Sequence, residues 1–329
     1  MPARADILEG AKAAARLHTQ LQIRRQVEQL HGGIDIFGCV APLHGTLLFR
    51  PLKGLLGAFL PGSNPGIMVT TERPLSIQRF TGAHELGHLY LKHKPSFDGV
   101  EILQLPDSGN PMEVQANGFA AEFLMPKWAM SFHAKRQHWT RESMNNPVCV
   151  YQLSLRLGTS YEATCLALKS HAIVDATVAD KLLSIQPKVI KQSILPHYKP
   201  QNWFFDVWLL TSHDEGALIE GQPNDLFLLN LSEKPGAGYL WDLEGLRSQG
   251  FAIIRDTRLN APDDEVGSPT IREVAAQISS PSKGQIAVSL SRPWLKNEKS
   301  LEELSFNYDL FGKELGMPRT QRRLLEATR

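Results

Sequence analysis

The sequence predicts an α+β multidomain protein with three parts. Residues 1–130 form a mainly helical part with a small β-sheet, residues 131–199 a second helical part, and residues 200–329 an all-β sandwich. Three observations predict this class. Apolar residues recur at helical spacing in the first two parts, short apolar pieces bounded by Gly and Pro interrupt the first, and similar pieces follow one another at regular intervals in the third.

The first part alternates helix, strands and helix. From Ala5 to Leu30, Leu, Ile and Ala recur at helical spacing, and the pattern stops at Gly32 and Gly33, which predicts one long helix. After it, three strands and two helices are predicted in this order: GTLLFRP, LLGAFLP, GIMVTTERP, Leu75–His93 and Met112–Met125.

The second and third parts differ in periodicity. VYQLSLRLGTSYEATCLAL is typical of a helix, a tight turn at Gly158 and a second helix with Ser160 as its N-cap. The third part carries short apolar runs separated by Gly, Pro, Asn and Asp, which favours strands. These runs are WFFDVWLL, DLFLLNL, FAIIRDT, GQIAVSL and LSFNYDL.

Composition narrows the class of protein. The chain of 329 residues is 42% hydrophobic and 21% charged, with 35 basic and 34 acidic residues, so disorder and a basic tail are excluded. No run approaches the roughly 18 apolar residues of a membrane span, and the N-terminal segment has no apolar signal core. Cys39, Cys149 and Cys165 are too widely spaced for a disulfide scaffold or a zinc ribbon. We therefore expect a cytoplasmic protein without membrane contact.

The near-neutral total charge is the sum of parts with net charges of opposite sign. Residues 1–130 have 12 basic and 11 acidic residues, residues 131–199 have 9 and 4, and residues 200–329 have 14 and 19. The net charges are thus +1, +5 and −5. We expect the acidic β part to dock on the basic helical part or over a cleft of the first part, in a contact that salt weakens.

The chemistry is indicated by His84-Glu85-Leu86-Gly87-His88, an H-E-x-x-H motif within a helical pattern. Residues at i and i+4 lie on one helix face, so both imidazoles can bind one Zn²⁺ ion. Glu85 lies about 100° round the helix. It can take the proton of the water at the metal and pass it to the leaving amine, as a general base.

A catalytic site needs a third ligand, and the downstream carboxylates can be ranked. Three lie in a Gly- and Pro-rich connection, where loops hold a ligand less well: Asp98, Glu101 and Asp107. Glu113 lies on the next helix, with Asn117 one turn further as a partner for a ligating histidine. Glu122 points to the opposite side of that helix. Glu113 is therefore the predicted ligand.

Two neighbouring residues are expected to lie outside the centre. His93 follows His88 by five residues, which rotates it away from both ligands, so we expect it at the surface or at the end of the helix. Tyr90 is poorly angled for oxyanion stabilisation, and we expect it to pack in the core.

At this point a family resemblance becomes specific. GIMVTTERPLSIQRFTGAHELGHLYLKH followed by MEVQANGFAAEFLMP resembles the ImmA/IrrE family of metallopeptidases. The resemblance implies a zincin-like, zinc-dependent endopeptidase with ligands His84, His88 and Glu113 and with Glu85 as general base. It also implies a helix-turn-helix transcriptional repressor as substrate, cut in a stress-response, mobile-element or defence pathway. The strands LLGAFLP and GIMVTTERP resemble the edge on which such peptidases hold an extended substrate.

The second part resembles the helix-turn-helix-like segment that follows the peptidase core in this family. Nucleic-acid contact through residues 131–199 is one alternative, with the helix Ser160–Lys169 as the reading helix. That helix offers only Lys169 as a cation and begins with Glu162. A packing role is therefore favoured.

The third part resembles the chagasin-type inhibitors, immunoglobulin-like domains whose loops enter papain-like cysteine peptidases. The resemblance rests on GAGYLW and SRPW, a candidate middle loop lies near Gly267-Ser268-Pro269, and both Thr of the usual N-P-T-T-G-Y loop are missing. Partner recognition or autoinhibition is therefore favoured over inhibition of a cysteine peptidase, and Tyr239, Trp241 and Trp294 could also be core aromatics. The candidate partner-binding residues are Gly238, Tyr239, Trp241, Arg292 and Trp294.

Three functions remain to be separated. The leading hypothesis is a zinc endopeptidase that cuts a protein partner under control of its C-terminal part. The second is a regulatory protein that sequesters a repressor or toxin without cutting it, and the third is a DNA-binding regulator with structural zinc. The presence of Glu85 and an open coordination position favour the first.

Overall fold

The fold is seen in a computed structural model, which describes residues 2–99, 110–196, 198, 200, 202–259, 270–295 and 299–322. The α-helices are α1 (Pro2–Gln20), α2 (Ile23–Leu30), α3 (Leu75–Leu91), α4 (Pro111–Leu124), α5 (Lys127–Arg136), α6 (Pro147–Leu157), α7 (Tyr161–Ser170), α8 (Ala176–Leu183), α9 (Pro187–Ile194) and α10 (Glu244–Ser248). The strands are β1 (Thr46–Arg50), β2 (Gly57–Leu60), β3 (Gly66–Thr70), β4 (Ser96–Asp98), β5 (Val207–Leu210), β6 (Leu218–Glu220), β7 (Leu226–Glu233), β8 (Leu240–Asp242), β9 (Ala252–Leu259), β10 (Thr270–Gln277), β11 (Lys283–Ser291) and β12 (Glu302–Asp309). The chain is thus α+β, as the sequence predicts.

The N-terminal part packs helices on one small sheet of order β1-β3-β2-β4, in which β1 and β3 are parallel and the other pairs antiparallel. The strands β1, β2 and β3 lie where the sequence predicts them, whereas β4 was not predicted. The single helix predicted from Ala5 to Leu30 is wrong, because Gln22 adopts a left-handed conformation with φ 52° and divides it into α1 and α2.

The second helical part has the predicted local structure. Gly158 ends α6 with φ 68°, a conformation that glycine adopts without strain. The Ser160 side chain accepts a hydrogen bond from the Ala163 N–H and caps α7. These two residues set the tight turn between the helices.

The C-terminal part consists of two four-stranded sheets, of order β5-β7-β10-β9 and β6-β12-β11-β8. Large aromatic side chains fill the space between them, and these are Trp208, Phe227, Phe306 and Tyr308. The first sheet is also covered on its other face, where Val207 and Leu228 join a second apolar cluster. This double burial explains why β7 has a continuous rather than alternating apolar sequence.

Side chains of α6 cover the free edge of β5. Tyr151 Oη accepts from the Val207 N–H at 3.0 Å, and the Gln152 amide bonds both Val207 O at 2.7 Å and the Leu209 N–H at 2.9 Å. Arg156 donates to Leu209 O at 2.9 Å. Since an open strand edge exposes unpaired backbone groups, α6 takes the place of another strand.

Ion pairs join the basic helical part to the acidic β part, the arrangement expected from the charges. Arg156 pairs with Asp214 at 2.8 Å, with side chains only 6% and 2% exposed, and Lys191 pairs with Asp206 at 3.0 Å. Because buried pairs are screened much less than exposed ones, the Arg156–Asp214 pair should contribute little to the expected sensitivity to salt.

Residues near the C-terminus return to the N-terminal sheet. The Phe49 N–H donates to Gly316 O at 2.7 Å and the Gly316 N–H donates to Phe49 O at 3.0 Å, which pairs the outer edge of β1. The Gln78 side chain bonds both backbone groups of Glu314. The first and last described segments are therefore held together.

In the part of the chain that the structure describes, we find no helix with the length and apolar character needed to cross a membrane.

Candidate metal centre

The centre is built on α3, which lies between the small sheet and α4. His84, Glu85 and His88 are fully buried on this helix. Small residues permit the close packing: a Cβ on Gly87 would lie 3.2 Å from the Phe119 ring of α4. The helix thus carries polar groups into a closed environment, where each must find a partner.

Two imidazole nitrogens and one carboxylate oxygen converge. His84 Nε2 lies 3.0 Å from His88 Nε2, and Glu113 Oε2 lies 3.2 Å from His84 Nε2 and 3.6 Å from His88 Nε2. Glu113 comes from the first turn of α4, which begins at the Asn110 cap. The structure therefore brings together the three residues that the sequence predicts as ligands.

The contact of His84 Nδ1 with Asn117 indicates which ring nitrogen of His84 carries the proton. His84 Nδ1 lies 2.9 Å from Asn117 Oδ1, and an amide oxygen can only accept a hydrogen bond. With this amide orientation, Nδ1 carries the proton and donates it to Asn117. His84 Nε2 then presents a lone pair to the centre. The contact between Asn117 and His84 is the one expected from the position of Asn117, one turn after Glu113.

A longer chain of hydrogen bonds indicates in the same way which ring nitrogen of His88 carries the proton. The Gln115 amide N–H₂ donates to Asp6 at 2.9 Å and to Glu9 at 3.2 Å, which turns its oxygen towards His93 Nε2 at 3.0 Å. His93 therefore donates through Nε2 and accepts through Nδ1, which lies 2.9 Å from His88 Nδ1. His88 donates this bond, so its Nε2 also presents a lone pair.

His93 lies at the end of the helix and outside the ligand cluster, as expected, but the expectation that it is rotated away from both ligands is wrong, since its Nδ1 lies 2.9 Å from His88 Nδ1. Lys92 adopts φ 58° directly after α3, and this left-handed residue turns the chain back so that the His93 ring reaches His88. Regular helical rotation does not apply beyond that residue. Tyr90 packs 6.1 Å from the Phe119 ring, as expected for a packing residue.

These donors fit a metal ion. Two imidazole nitrogens that present lone pairs and one carboxylate oxygen face one another within 3.6 Å, and with these tautomers no hydrogen bond joins the two nitrogens. A cation would remove this repulsion, and imidazole with carboxylate is a donor set that Zn²⁺ accepts.

Glu85 lies beside this cluster with its carboxyl group in a tight space. Ser96 donates to Glu85 Oε2 at 3.2 Å, while Oε1 is buried without a hydrogen-bonding donor. β2 passes directly over it, and a Cβ on Gly57 would collide with this carboxyl. Burial and the neighbouring charge of Asp98 raise the pKa of Glu85 well above its usual value.

Asp98 belongs to the cluster, which corrects its low ranking among the carboxylates. Its Oδ2 lies 3.7 Å from His84 Nε2, and one donor atom from each of four residues lies within 4.8 Å of the others: His84, His88, Asp98 and Glu113. A strand rather than a loop holds Asp98, because β4 pairs with β2. The alternation in Ser96-Phe97-Asp98, with Phe97 exposed, is the signal that could have indicated this strand.

The other weighed carboxylates do not join the cluster. Glu101 and Asp107 lie outside the described residues. Glu122 faces away and lies 3.7 Å from His171, as its helical phase predicts.

The candidate loops of the β part meet in one surface cluster. The Arg292 guanidinium lies 4.5 Å over the Tyr239 ring and donates to Ala237 O at 3.2 Å. Gly238 has φ 79° and lies against Trp294, which is 64% exposed.

Trp241 does not share this surface. It is only 5% exposed on β8, and its indole N–H donates to Ser232 O at 2.8 Å inside the β core. The prediction that it contacts a partner is corrected, because a strand and not a loop carries it. The candidate middle loop at Gly267-Ser268-Pro269 lies outside the described residues.

Family models match two separate regions of the chain. Residues 44–169 match the IrrE N-terminal-like domain, and residues 222–309 match the Chagasin family peptidase inhibitor I42. The two resemblances found in the sequence are thus confirmed. They define a protein in which a peptidase-type domain and an inhibitor-type β domain share one chain.

Individual relatives match the second region. Amoebiasin-2 of Entamoeba histolytica is 29% identical over 103 residues, which cover 31% of this chain and 83% of that protein. Among solved structures, the cysteine protease inhibitor EhICP2 from Entamoeba histolytica is 27% identical with a TM-score of 0.31, over 33% of this chain and 99% of that one. Amebosin is 17% identical with a TM-score of 0.27, over 32% of this chain and 97% of that one.

Proposed function

We propose that the protein is a zinc-dependent endopeptidase that makes site-specific cuts in a protein partner. The observation that carries this proposal is the convergence of the His84, His88 and Glu113 donor atoms with the buried Glu85 carboxyl alongside. Metal-binding residues next to a carboxyl of raised pKa are typical of hydrolytic centres rather than of structural zinc sites.

The roles follow from the positions. His84, His88 and Glu113 would hold the ion, which when bound polarises the scissile carbonyl and favours ionisation of the attacking water. Glu85 takes the proton of that water and delivers it to the leaving amine. Asn117 and His93 keep the two ligating imidazoles in the required tautomers, and Gln115 keeps His93 in its own.

The small sheet supplies a place for an extended substrate. β2 lies over Glu85, so a peptide paired with the β2 edge passes across the centre. This arrangement supports a zincin-like mode of binding. The resemblance to the ImmA/IrrE family supports a helix-turn-helix transcriptional repressor as the substrate, in a stress-response, mobile-element or defence pathway.

The decisive experiment compares wild type with Glu85→Gln on the repressor encoded beside the gene of this protein. We expect the variant to lose about 10²- to 10⁴-fold in cleavage rate, the usual contribution of a general base, while it still binds Zn²⁺. Glu122→Gln is the matched control, since Glu122 lies on α4 outside the cluster and should leave the rate unchanged. Equal cleavage by Glu85→Gln and wild type, or a substrate left intact by wild type under every activating condition, would reject the enzymatic proposal.

The ligands are tested by a second matched pair. Glu113→Gln should lower the affinity for Zn²⁺, whereas Glu122→Gln should not, because only Glu113 points at the two imidazoles. Zinc affinity measured by competition with a chromophoric chelator separates the two. An unchanged affinity in Glu113→Gln would remove it from the ligand set.

A second candidate function is inhibition of a separate peptidase by the β part. The match to the chagasin family favours it, together with the exposed Trp294 beside Gly238 and the Arg292–Tyr239 stack. Papain is a suitable probe, since the resemblance implies a cysteine peptidase. Inhibition of papain by the full chain that weakens in Trp294→Ala, but not in Phe204→Ala, an even more exposed aromatic elsewhere, would support this function. Papain unaffected by the full chain would exclude inhibition of this class of enzyme.

The DNA-binding alternative has less support. The exposed residues of α7 are Glu162, Lys169 and Ser170, and Lys169 already pairs with Asp180 at 3.3 Å. The polar side chains of α6 bond the edge of β5. These contacts support a packing role for residues 131–199.

A further inference from the structure

The edge of β2 beside the metal centre carries a segment of the chain itself. β4 pairs antiparallel with this edge, with Gly57 opposite Asp98 and Phe59 opposite Ser96. The Leu56 N–H donates to Asp98 O at 2.7 Å and extends this pairing. Because β2 crosses over Glu85, β4 lies along the path that an extended substrate would take through the centre.

The side chains of β4 also engage the centre. Ser96 and Asp98 are buried on the face towards α3, and Ser96 bonds Glu85. Asp98 Oδ2 lies within 4.8 Å of the donor atoms of His84, His88 and Glu113 and has no hydrogen-bonding donor of its own, although it is buried. A buried carboxylate oxygen without a hydrogen-bond donor costs free energy, which a bound cation would offset.

We propose that β4 is a built-in competitor of the substrate and that Asp98 is a fourth ligand that closes the metal centre. The inference rests on the proposed metal site. Zn²⁺ in catalytic sites has three protein ligands and one open position, whereas four protein ligands are typical of closed sites. With Asp98 in place, the position needed by water and by the scissile carbonyl is filled, so cleavage requires β4 to leave.

The pairing is suited to reversible release. β4 has three residues and hydrogen-bonds to a single strand, β2, within the described sheet. Its central residue, Phe97, is 63% exposed and contributes little burial that would hold the strand in place. Once β4 leaves, the Gly57–Phe59 edge can bind an extended peptide in the same antiparallel register. A partner that binds β4, or a substrate that pairs better with β2, therefore activates the centre.

Co²⁺ as the bound metal tests coordination without any substrate. Wild type, Asp98→Ala and Phe97→Ala are loaded with Co²⁺, their visible spectra are recorded, and acetohydroxamate, a ligand for an open position, is titrated in. We expect Asp98→Ala to change the spectrum and to bind acetohydroxamate at least about tenfold more tightly than wild type, which is about 1.4 kcal/mol. Phe97→Ala changes an exposed side chain of the same strand, keeps the carboxylate and should behave as wild type. An unchanged spectrum and equal acetohydroxamate affinity in Asp98→Ala would overturn the proposal.

Two further measurements complete the test. Should Asp98→Ala fail to fold, Asp98→Asn keeps the side-chain volume without the charge and should show the same direction of change. In wild type, amide exchange at Leu56 should accelerate when acetohydroxamate saturates the metal, because release of β4 removes the acceptor of that N–H; unchanged exchange would refute the competition. Neither readout uses cleavage, so a failure of the proposed peptidase activity, seen with Glu85→Gln, is distinguished from a failure of this inference.

Discussion

Asp214 offers the sharpest test of how the helical and β parts are held together. Its carboxylate is 2% exposed and accepts three hydrogen bonds: Oδ1 from Arg156 at 2.8 Å and from the Gln137 amide at 2.7 Å, and Oδ2 from the Thr211 N–H at 3.0 Å. Asp214→Asn keeps the shape of the side chain but removes the charge and one accepting atom. The buried Arg156 guanidinium then loses its counter-charge.

The magnitude follows from burial at both ends of the pair. Removing one partner of a buried ion pair costs about 3–5 kcal/mol, because the remaining charge is left without compensation. A loss of about 4 kcal/mol corresponds to roughly a thousandfold change in the folding equilibrium. Asp180→Asn is the matched control: its pair with Lys169 is 68% and 42% exposed, and such pairs contribute about 0–1 kcal/mol.

The assay is urea unfolding followed by tryptophan fluorescence and far-UV circular dichroism. We expect a large loss in free energy of unfolding for Asp214→Asn and almost none for Asp180→Asn. The difference should persist from 0.15 to 1 M salt, since buried pairs are weakly screened. A loss below about 1 kcal/mol in Asp214→Asn, no larger than in Asp180→Asn, would refute the reasoning.

Three other predictions concern stability. Burial lowers the pKa of His18 to about 4 despite its hydrogen bond to Phe123 O, so between pH 6.5 and 4 the unfolded chain binds a proton at this residue and the folded chain does not. The free energy of unfolding should therefore decline by at most about 3 kcal/mol over this range. In His18→Gln the free energy of unfolding should depend less steeply on pH, and an equal slope would contradict the assignment. Gly57→Ala forces a methyl group against Glu85 and should cost about 1–3 kcal/mol in thermal unfolding, so an unchanged transition would count against the close approach of β2. Ser160→Ala removes the N-cap of α7 and should cost about 1 kcal/mol in urea, whereas Ser170→Ala, at the other end, should cost less.

The convergence of the centre could be predicted largely because it depends on local rules. Helical spacing places His84 and His88 on one face, and the phase of α4 distinguishes Glu113 from Glu122. The same phase puts Asn117 against His84. Such periodicities are properties of single helices and need no knowledge of the rest of the fold.

The residues missed by sequence reasoning depend on longer-range geometry. Asp98 joins the centre only because three residues pair with β2, some forty positions earlier in the chain. His93 reaches His88 because Lys92 is left-handed, and a lysine gives no sequence signal for that conformation. Trp241 is expected in a loop because GAGYLW resembles a loop of the chagasin-type inhibitors, whereas β8, which carries it, pairs over three residues with β11.

The pairing of Phe49 with Gly316 has a consequence for synthesis. The two residues are separated by 267 positions, so the outer edge of β1 stays open while the intervening chain is made. At 5–20 residues per second this lasts roughly 13 to 53 s. An unpaired strand edge is a template for association with other chains, and TLLFR is an apolar one. Nascent chains are therefore most prone to aggregate in this interval, and those that stop before residue 316 keep this edge open.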